Sequence, residues 1–349
     1  MRRCGRSRQP KAIPLIVLFL EYTRGTAEVP EAPTWLFAAH AGPTLAKDSK
    51  ESQRRPTGRL IEFLRNLAIF SIKDAVLIQN ADVPLQADRP FRVMAGDNRD
   101  REFSGWQKAL DELVKIPGLI QEDTVICFAN DTFIDHYGDT YLSWFDQSGV
   151  REALCQGKAV GYVDRSLKPV SLFGLTTDRW LRTSLFFIRW AELKAALPLR
   201  LPVAESEIFS CEGESLFLDR GGADGTDLAS PHLSPNLRAS LDRWLWAGPV
   251  VAGEFDRVWH SAERLSDESR PRLQQKAKCI LIERLLSARL LQAGVELQNV
   301  RVSSRRWGGL FALADRCQLL EPAQNFRVRA GFTAKEMKRN FKKFLGYGG

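Results

Sequence analysis

The stretch Thr124-Val-Ile-Cys-Phe-Ala-Asn-Asp-Thr-Phe133 decides how the chain is read. Residues 124–129 form a short apolar run, as a strand buried on both faces requires. The run leads directly into Asn130, Asp131 and Thr132. In an open α/β sheet, ligands bind beyond the carboxyl ends of the strands. A carboxylate there can hold a hard divalent cation, and the cation can hold a diphosphate. The plainer alternative is that Asp131 caps the turn after the strand.

Working outward, residues 75–78 and 91–94 are the next strand candidates, and Leu60, Ile61, Phe63, Leu64 and Leu67 fit one helix before them. Residues 104–115 read as an amphipathic helix with Trp106, Leu110 and Leu113 on one side, closed by Pro117 and Gly118. On the far side, residues 159–163 and 184–188 suit strands and residues 190–197 a short helix. This alternation predicts a largely parallel α/β sheet flanked by helices. Residues 212–231, rich in Gly, Asp and Ser, read as a loop or domain edge. Ser234 and Pro235 then start a helix, and residues 269–293 form a longer one stopped by Gly294. Lys276, Lys278 and Glu283 are expected on its solvated face. Trp244, Trp246 and the apolar residues 185–188 suit either sugar stacking or core packing.

The net charge of +8 sits at the ends of the 349 residues. Residues 1–11 carry +5, residues 325–349 carry +6, and the body between them −3. That argues against a nucleic-acid partner, because no basic body is present. The apolar run of residues 12–20 contains Pro14 and is too short to span a bilayer. No small-residue cleavage site follows at the usual distance, so residues 1–56 are expected to be a leader, partly disordered or extraneous. Within them, residues 34–40 are the one candidate for a first strand, and residues 1–30 are expected to be dispensable. The tail, residues 326–349, alternates Phe332, Met337, Phe341, Phe344 and Leu345 with lysines and arginine. It suits either a packed terminal helix or peripheral contact with the inner membrane. Six scattered cysteines and four scattered histidines make no metal-type pair, and they predict free thiols in a reducing compartment.

A second informative segment is Gly96-Asp-Asn-Arg-Asp-Arg-Glu-Phe-Ser-Gly-Trp-Gln-Lys-Ala-Leu110. It is a polar loop running into a helix, with Asn98, Arg101 and Glu102 near the helix start. Such a start can receive phosphate or simply be a capped, solvated end. Together with Asn130-Asp131-Thr132, this segment resembles the rhamnan-synthesis-type glycosyltransferases of bacterial surface polysaccharide synthesis. Three later stretches are similar too: Gly161-Tyr-Val-Asp164, Gly174-Leu-Thr-Thr-Asp178 and Trp180-Leu-Arg-Thr-Ser-Leu-Phe-Phe-Ile188. The resemblance covers about residues 74–200, with a looser echo in the helices of residues 233–300, and for the region of Lys276, Lys278 and Glu283 it implies packing against the catalytic domain as the alternative to a solvated face. Where the family's loop has Gly, this chain has Asp100.

The resemblance implies a GT-A-like, Rossmann-type mixed sheet over residues 57–230 and a helical portion over residues 231–325. It also implies transfer of a sugar from a nucleotide-diphosphate donor to a glycan or lipid-linked acceptor. Asp131 then holds Mn2+ or Mg2+, with Asn130 and Thr132 orienting the diphosphate. Asn98, Arg101, Glu102, Arg182 and Thr183 are further candidates for donor contacts. Asn80 and Asp82 are candidates for base or ribose, although Asp82 equally suits a turn. Asp164, Asp178 and Glu205 are the candidates for the general base of an inverting transfer, and nothing in the sequence separates them. The expected location is cytoplasmic. The rival readings are a glycan- or nucleotide-binding module without turnover, and an interaction protein using its basic tails and C-terminal helices.

Overall fold

The computed structural model describes residues 12–21, 56–79, 92–135, 141–213, 215–221, 227–229, 232–245 and 263–300. In chain order these form β1 (Ile13–Glu21), α1 (Pro56–Leu67), β2 (Phe70–Gln79), β3 (Arg92–Ala95), α2 (Glu102–Leu113), β4 (Val125–Asn130) and the single turn α3 (Thr132–Asp135). There follow α4 (Gln147–Cys155), β5 (Ala159–Leu172), β6 (Leu175–Arg189), α5 (Trp190–Leu193), β7 (Asp219–Gly221), β8 (Asp227–Ala229), α6 (Pro235–Leu245), α7 (Arg270–Gln292) and β9 (Leu297–Asn299).

The protein is α/β. Its main sheet has strand order β3-β2-β1-β4-β6-β5-β9, and helices flank it. β3, β2, β1 and β4 run parallel, and β6 is antiparallel to both of its neighbours. The expected mixed, Rossmann-type sheet is therefore the fold of this chain.

Side-chain alternation along the strands separates two cores. Ile16, Leu18 and Leu20 of β1 join Ile78, Phe128 and Phe186 beneath α2 and α7. Leu15, Val17 and Phe19 join Val125, Cys127 and Phe187 on the opposite face, beneath α1 and α4. Trp106 of α2 is fully buried, edge-on to Phe103 and Phe128, with ring centroids 5.6 and 5.0 Å away. Gly105 lets α2 approach this closely, because a Cβ there would stand 2.8 Å from Ile78 Cγ2 and 3.1 Å from Leu20 Cδ1.

The expectation that residues 1–56 are a leader is corrected by β1. Ile13–Glu21 is the strand between β2 and β4, and every residue from Leu15 to Leu20 is fully buried. Nine apolar residues are too few for a membrane span but suit a strand covered on both faces. Pro14 sits next to the strand's first residue, where a missing N–H is tolerated. Residues 34–40 lie outside the described residues, as do residues 1–11 and the basic tail.

The boundary expected at residue 230 does not divide the core. Cys279, Ile282, Leu286 and Leu290 of α7 pack with the β-strand residues of the first cluster, and β9 pairs in parallel with β5. Residues 212–231, expected to be a loop, contain the β7–β8 hairpin, and Phe209 bridges to Phe217 beside it. The face carrying Lys278 is not solvated: Lys278 is only 4% exposed. Residues 185–188 are core. The four described cysteines are free, with Cys127 and Cys279 buried. Among the described residues no helix is long and apolar enough to cross a membrane.

Candidate functional site

The chain leaves β1 for β2 and β3 on one side, then returns to the other side of β1 as β4. Connections diverge at that point, beyond the carboxyl ends of β1 and β4, the place where doubly wound sheets hold ligands. Four polar residues stand at these strand ends. Glu21 and Gln79 end β1 and β2, both buried, with Gln79 Nε2 donating to Glu21 Oε2 at 3.4 Å. Asn130 ends β4, and Asp131 follows with its backbone N–H donating to Leu20 O of β1 at 3.2 Å. Asp131 thus continues the β1–β4 ladder past the last strand residue.

Asn130 fixes the local shape. Its Oδ1 accepts from the Thr132 backbone N–H at 3.2 Å and from the Thr132 hydroxyl. Its Nδ2 makes a long 3.5 Å bond to Thr183 O of β6. Asn130 and Thr132 therefore brace the turn that carries Asp131. Among the described residues no group of three or more His, Cys, Asp or Glu side chains is disposed to hold a metal ion. A single carboxylate fits a hard cation whose remaining ligands are phosphate oxygens and water, the usual manner of Mg2+ with phosphate substrates.

Beyond Asn130, β6 and β5 project past the end of β4 and meet α7. Thr183 donates to Glu283 Oε2 from its backbone N–H at 2.9 Å and from its hydroxyl at 2.8 Å. The same hydroxyl lies 3.3 Å from Glu102 Oε1 at the start of α2. Glu283 keeps some solvent exposure. Even so, burial pushes its carboxyl up to about 7, against the two Thr183 bonds and with help from the charges of Asp164 and Glu102. Arg284 is almost fully buried, with Cζ 4.2 Å from the centroid of the Trp180 ring. Burial lowers its pKa to about 10, although the charges of Glu283 and Asp164 act against that.

The sequence-derived candidates fall into three groups. Asn130, Asp131, Thr132, Thr183 and Glu102 are brought together by the bonds just described. Asp164 and Arg182 form a two-pronged ion pair, 2.6 and 2.9 Å, with Arg182 Cζ 5.9 Å from the Tyr162 ring centroid and the Asp164 charge acting on Glu283. The rest stand elsewhere. Asp178 pairs with its neighbour Arg179 on the β5–β6 hairpin, and that hydrogen bond holds its carboxyl below the usual range. Glu205 receives a 2.7 Å bond from Lys278. Asn98 and Arg101 have positive φ, 51° and 52°, and shape the loop before α2. Asn98 O accepts from Gln275 of α7 at 3.0 Å. Asn80 and Asp82 are outside the described residues.

The structure also accounts for Asp100. Its carboxylate pairs with Lys278 at 2.7 Å, and Lys278 bonds to Arg99 O at 2.8 Å. Burial works against the charge on Lys278, but the bonds to Asp100 and Glu205 outweigh it and hold its pKa above the ordinary value. Asp100 thus anchors the loop to α7.

Sequence reasoning assigned no part in the site to Glu283, Arg284 or Lys278. A signal was present: Leu273, Ala277, Leu281, Ile282, Leu286 and Leu290 cover most of the circumference of α7. A helix apolar on every face is buried, and charges within it need partners. No protein-family model matches this chain, and no curated protein matches it.

Proposed function

We propose that this protein is a glycosyltransferase that moves a sugar from a nucleotide-diphosphate donor to a glycan or lipid-linked acceptor in surface polysaccharide synthesis. One observation carries the reading: Asp131 stands directly beyond β4, where the strand order reverses, on a turn braced by Asn130 and Thr132. The resemblance of residues 74–200 to the rhamnan-synthesis-type transferases supports it from the sequence side.

In this reading the donor's diphosphate lies across the carboxyl ends of β1 and β4. Asp131 holds a divalent cation, Mn2+ or Mg2+, which offsets charge on the leaving diphosphate when bound. Glu21 and Gln79 stand at the neighbouring strand ends on the β1–β2 side. Asp164 fixes the guanidinium of Arg182 with two bonds on the β5–β6 side. The protein works at the cytoplasmic side of the inner membrane, with its basic tail as a peripheral contact.

A binding module without turnover is the second reading. It is favoured by the ion pairs of Asp164, Asp178 and Glu205, each of which already has a cationic partner. A screen of UDP-, GDP- and dTDP-linked hexoses, with and without Mn2+ or Mg2+, tests both. Metal-dependent binding with release of nucleoside diphosphate supports the transferase. Binding without release supports the module, and no binding of any nucleotide sugar contradicts both.

A further inference from the structure

We propose that Glu283 of α7 is the group that takes the proton from the acceptor hydroxyl, an assignment that rests on the transferase reading above. Geometry carries it. Both bonds from Thr183 go to Oε2, and Oε1 has no hydrogen bond among the described residues. The Thr183 backbone carbonyl is in turn bonded by Asn130, the residue before Asp131. One short chain of contacts therefore ties this carboxylate to the turn that carries Asp131. The other carboxylates considered are engaged by cations, whereas Glu283 is bonded only by uncharged donors.

The charged groups around Glu283 come from three elements: Asp164 from β5, Glu102 from α2 and Arg284 from α7 itself. Two like charges and a crowded setting favour proton uptake, and a base works best when its pKa lies near the working pH. The raised carboxyl of Glu283 meets that condition.

The acceptor O–H bond breaks and its proton passes to Glu283 Oε1. The acceptor oxygen forms a bond to the anomeric carbon. The bond from that carbon to the diphosphate oxygen breaks, and its electron pair leaves with the nucleoside diphosphate. Thr183 keeps Oε2 fixed throughout, so it is a positioning residue and makes no contact with the reacting atoms.

The test uses the full chain with UDP-glucose, GDP-mannose and dTDP-rhamnose in Mn2+, measuring donor affinity and nucleoside diphosphate release across pH. Glu283→Gln retains the shape and an acceptor oxygen for Thr183. It is expected to bind donor as the unaltered chain does, to lose about 100-fold or more in kcat, and to lose the acid limb of the pH profile. Glu283→Asp is expected to keep an acid limb at a reduced rate. A Glu283→Gln chain with unchanged kcat and an unchanged acid limb overturns the assignment while leaving the transferase reading intact. Absence of turnover in the unaltered chain overturns both. If Glu283→Gln does not fold, Glu283→Asp decides, and its full rate with an unshifted acid limb overturns the assignment.

Discussion

Thr183 gives both of its donors to one oxygen of Glu283, at 2.9 Å from the backbone and 2.8 Å from the hydroxyl. The pair joins β6 to α7 where the sheet ends, 100 residues apart in sequence. Thr183→Val removes the hydroxyl and its bonds to Glu283 and Glu102 while keeping the branched shape. A buried bond to a charged group contributes about 1.5–3 kcal/mol, so urea unfolding should show a loss on that order. The backbone bond remains, so α7 stays docked and the folded spectrum is unchanged.

Stability should fall as pH rises through neutrality on account of Glu283. Its ordinary pKa of 4.5 applies when unfolded, and about 7 when folded. Between these values the folded chain holds a proton that the unfolded chain has released. The contribution is therefore complete below about 4.5 and is lost as pH rises through about 7. Its size is on the order of 1–3 kcal/mol. Glu283→Gln does not titrate, so the difference in urea midpoint between this variant and the unaltered chain should shift in favour of the variant between about pH 5 and about pH 8.

The role of β1 is tested by Leu18→Ala. Leu18 is fully buried in the centre of the sheet. Removing such a side chain costs about 2–5 kcal/mol, to be read from a denaturant midpoint. Removing residues 1–21 altogether should abolish cooperative unfolding, because β2 and β4 would then lose the strand between them. A truncated chain that melts like the intact one contradicts the placement of Ile13–Glu21 in the core.

Much of the sheet was legible where apolar runs are short and uninterrupted. Residues 124–129 and 184–188 read as strands because Val125–Ala129 and Leu185–Ile188 are buried on both faces. β1 has the same signature, yet its basic flank and Pro14 suggested a leader. No local feature distinguishes a central strand from a failed membrane segment; its partners β2 and β4 do, and they lie 50 or more residues away. Asp131, Asn130 and Thr132 were legible because they follow a strand directly. Glu283 was not, since its partner Thr183 is distant in sequence and a glutamate on a long helix usually faces water. Asp178 and Glu205 were indistinguishable from Asp164 for the same reason. Their cations, Arg179 and Lys278, decide their surroundings, and Lys278 reaches Glu205 only through tertiary packing.

Asp131 is the residue on which donor binding depends, and Asp131→Asn is read in two ways on one variant. Asparagine keeps the size and is as good a cap as aspartate, so thermal stability should change by no more than about 1 kcal/mol. It cannot supply the charge that a divalent cation requires. The melting temperature should be unchanged while Mn2+-dependent nucleotide-sugar binding, measured by calorimetry, is lost. Unchanged stability with full Mn2+- and Mg2+-dependent donor binding would contradict this, because Asp131 would then be no more than the cap of a turn.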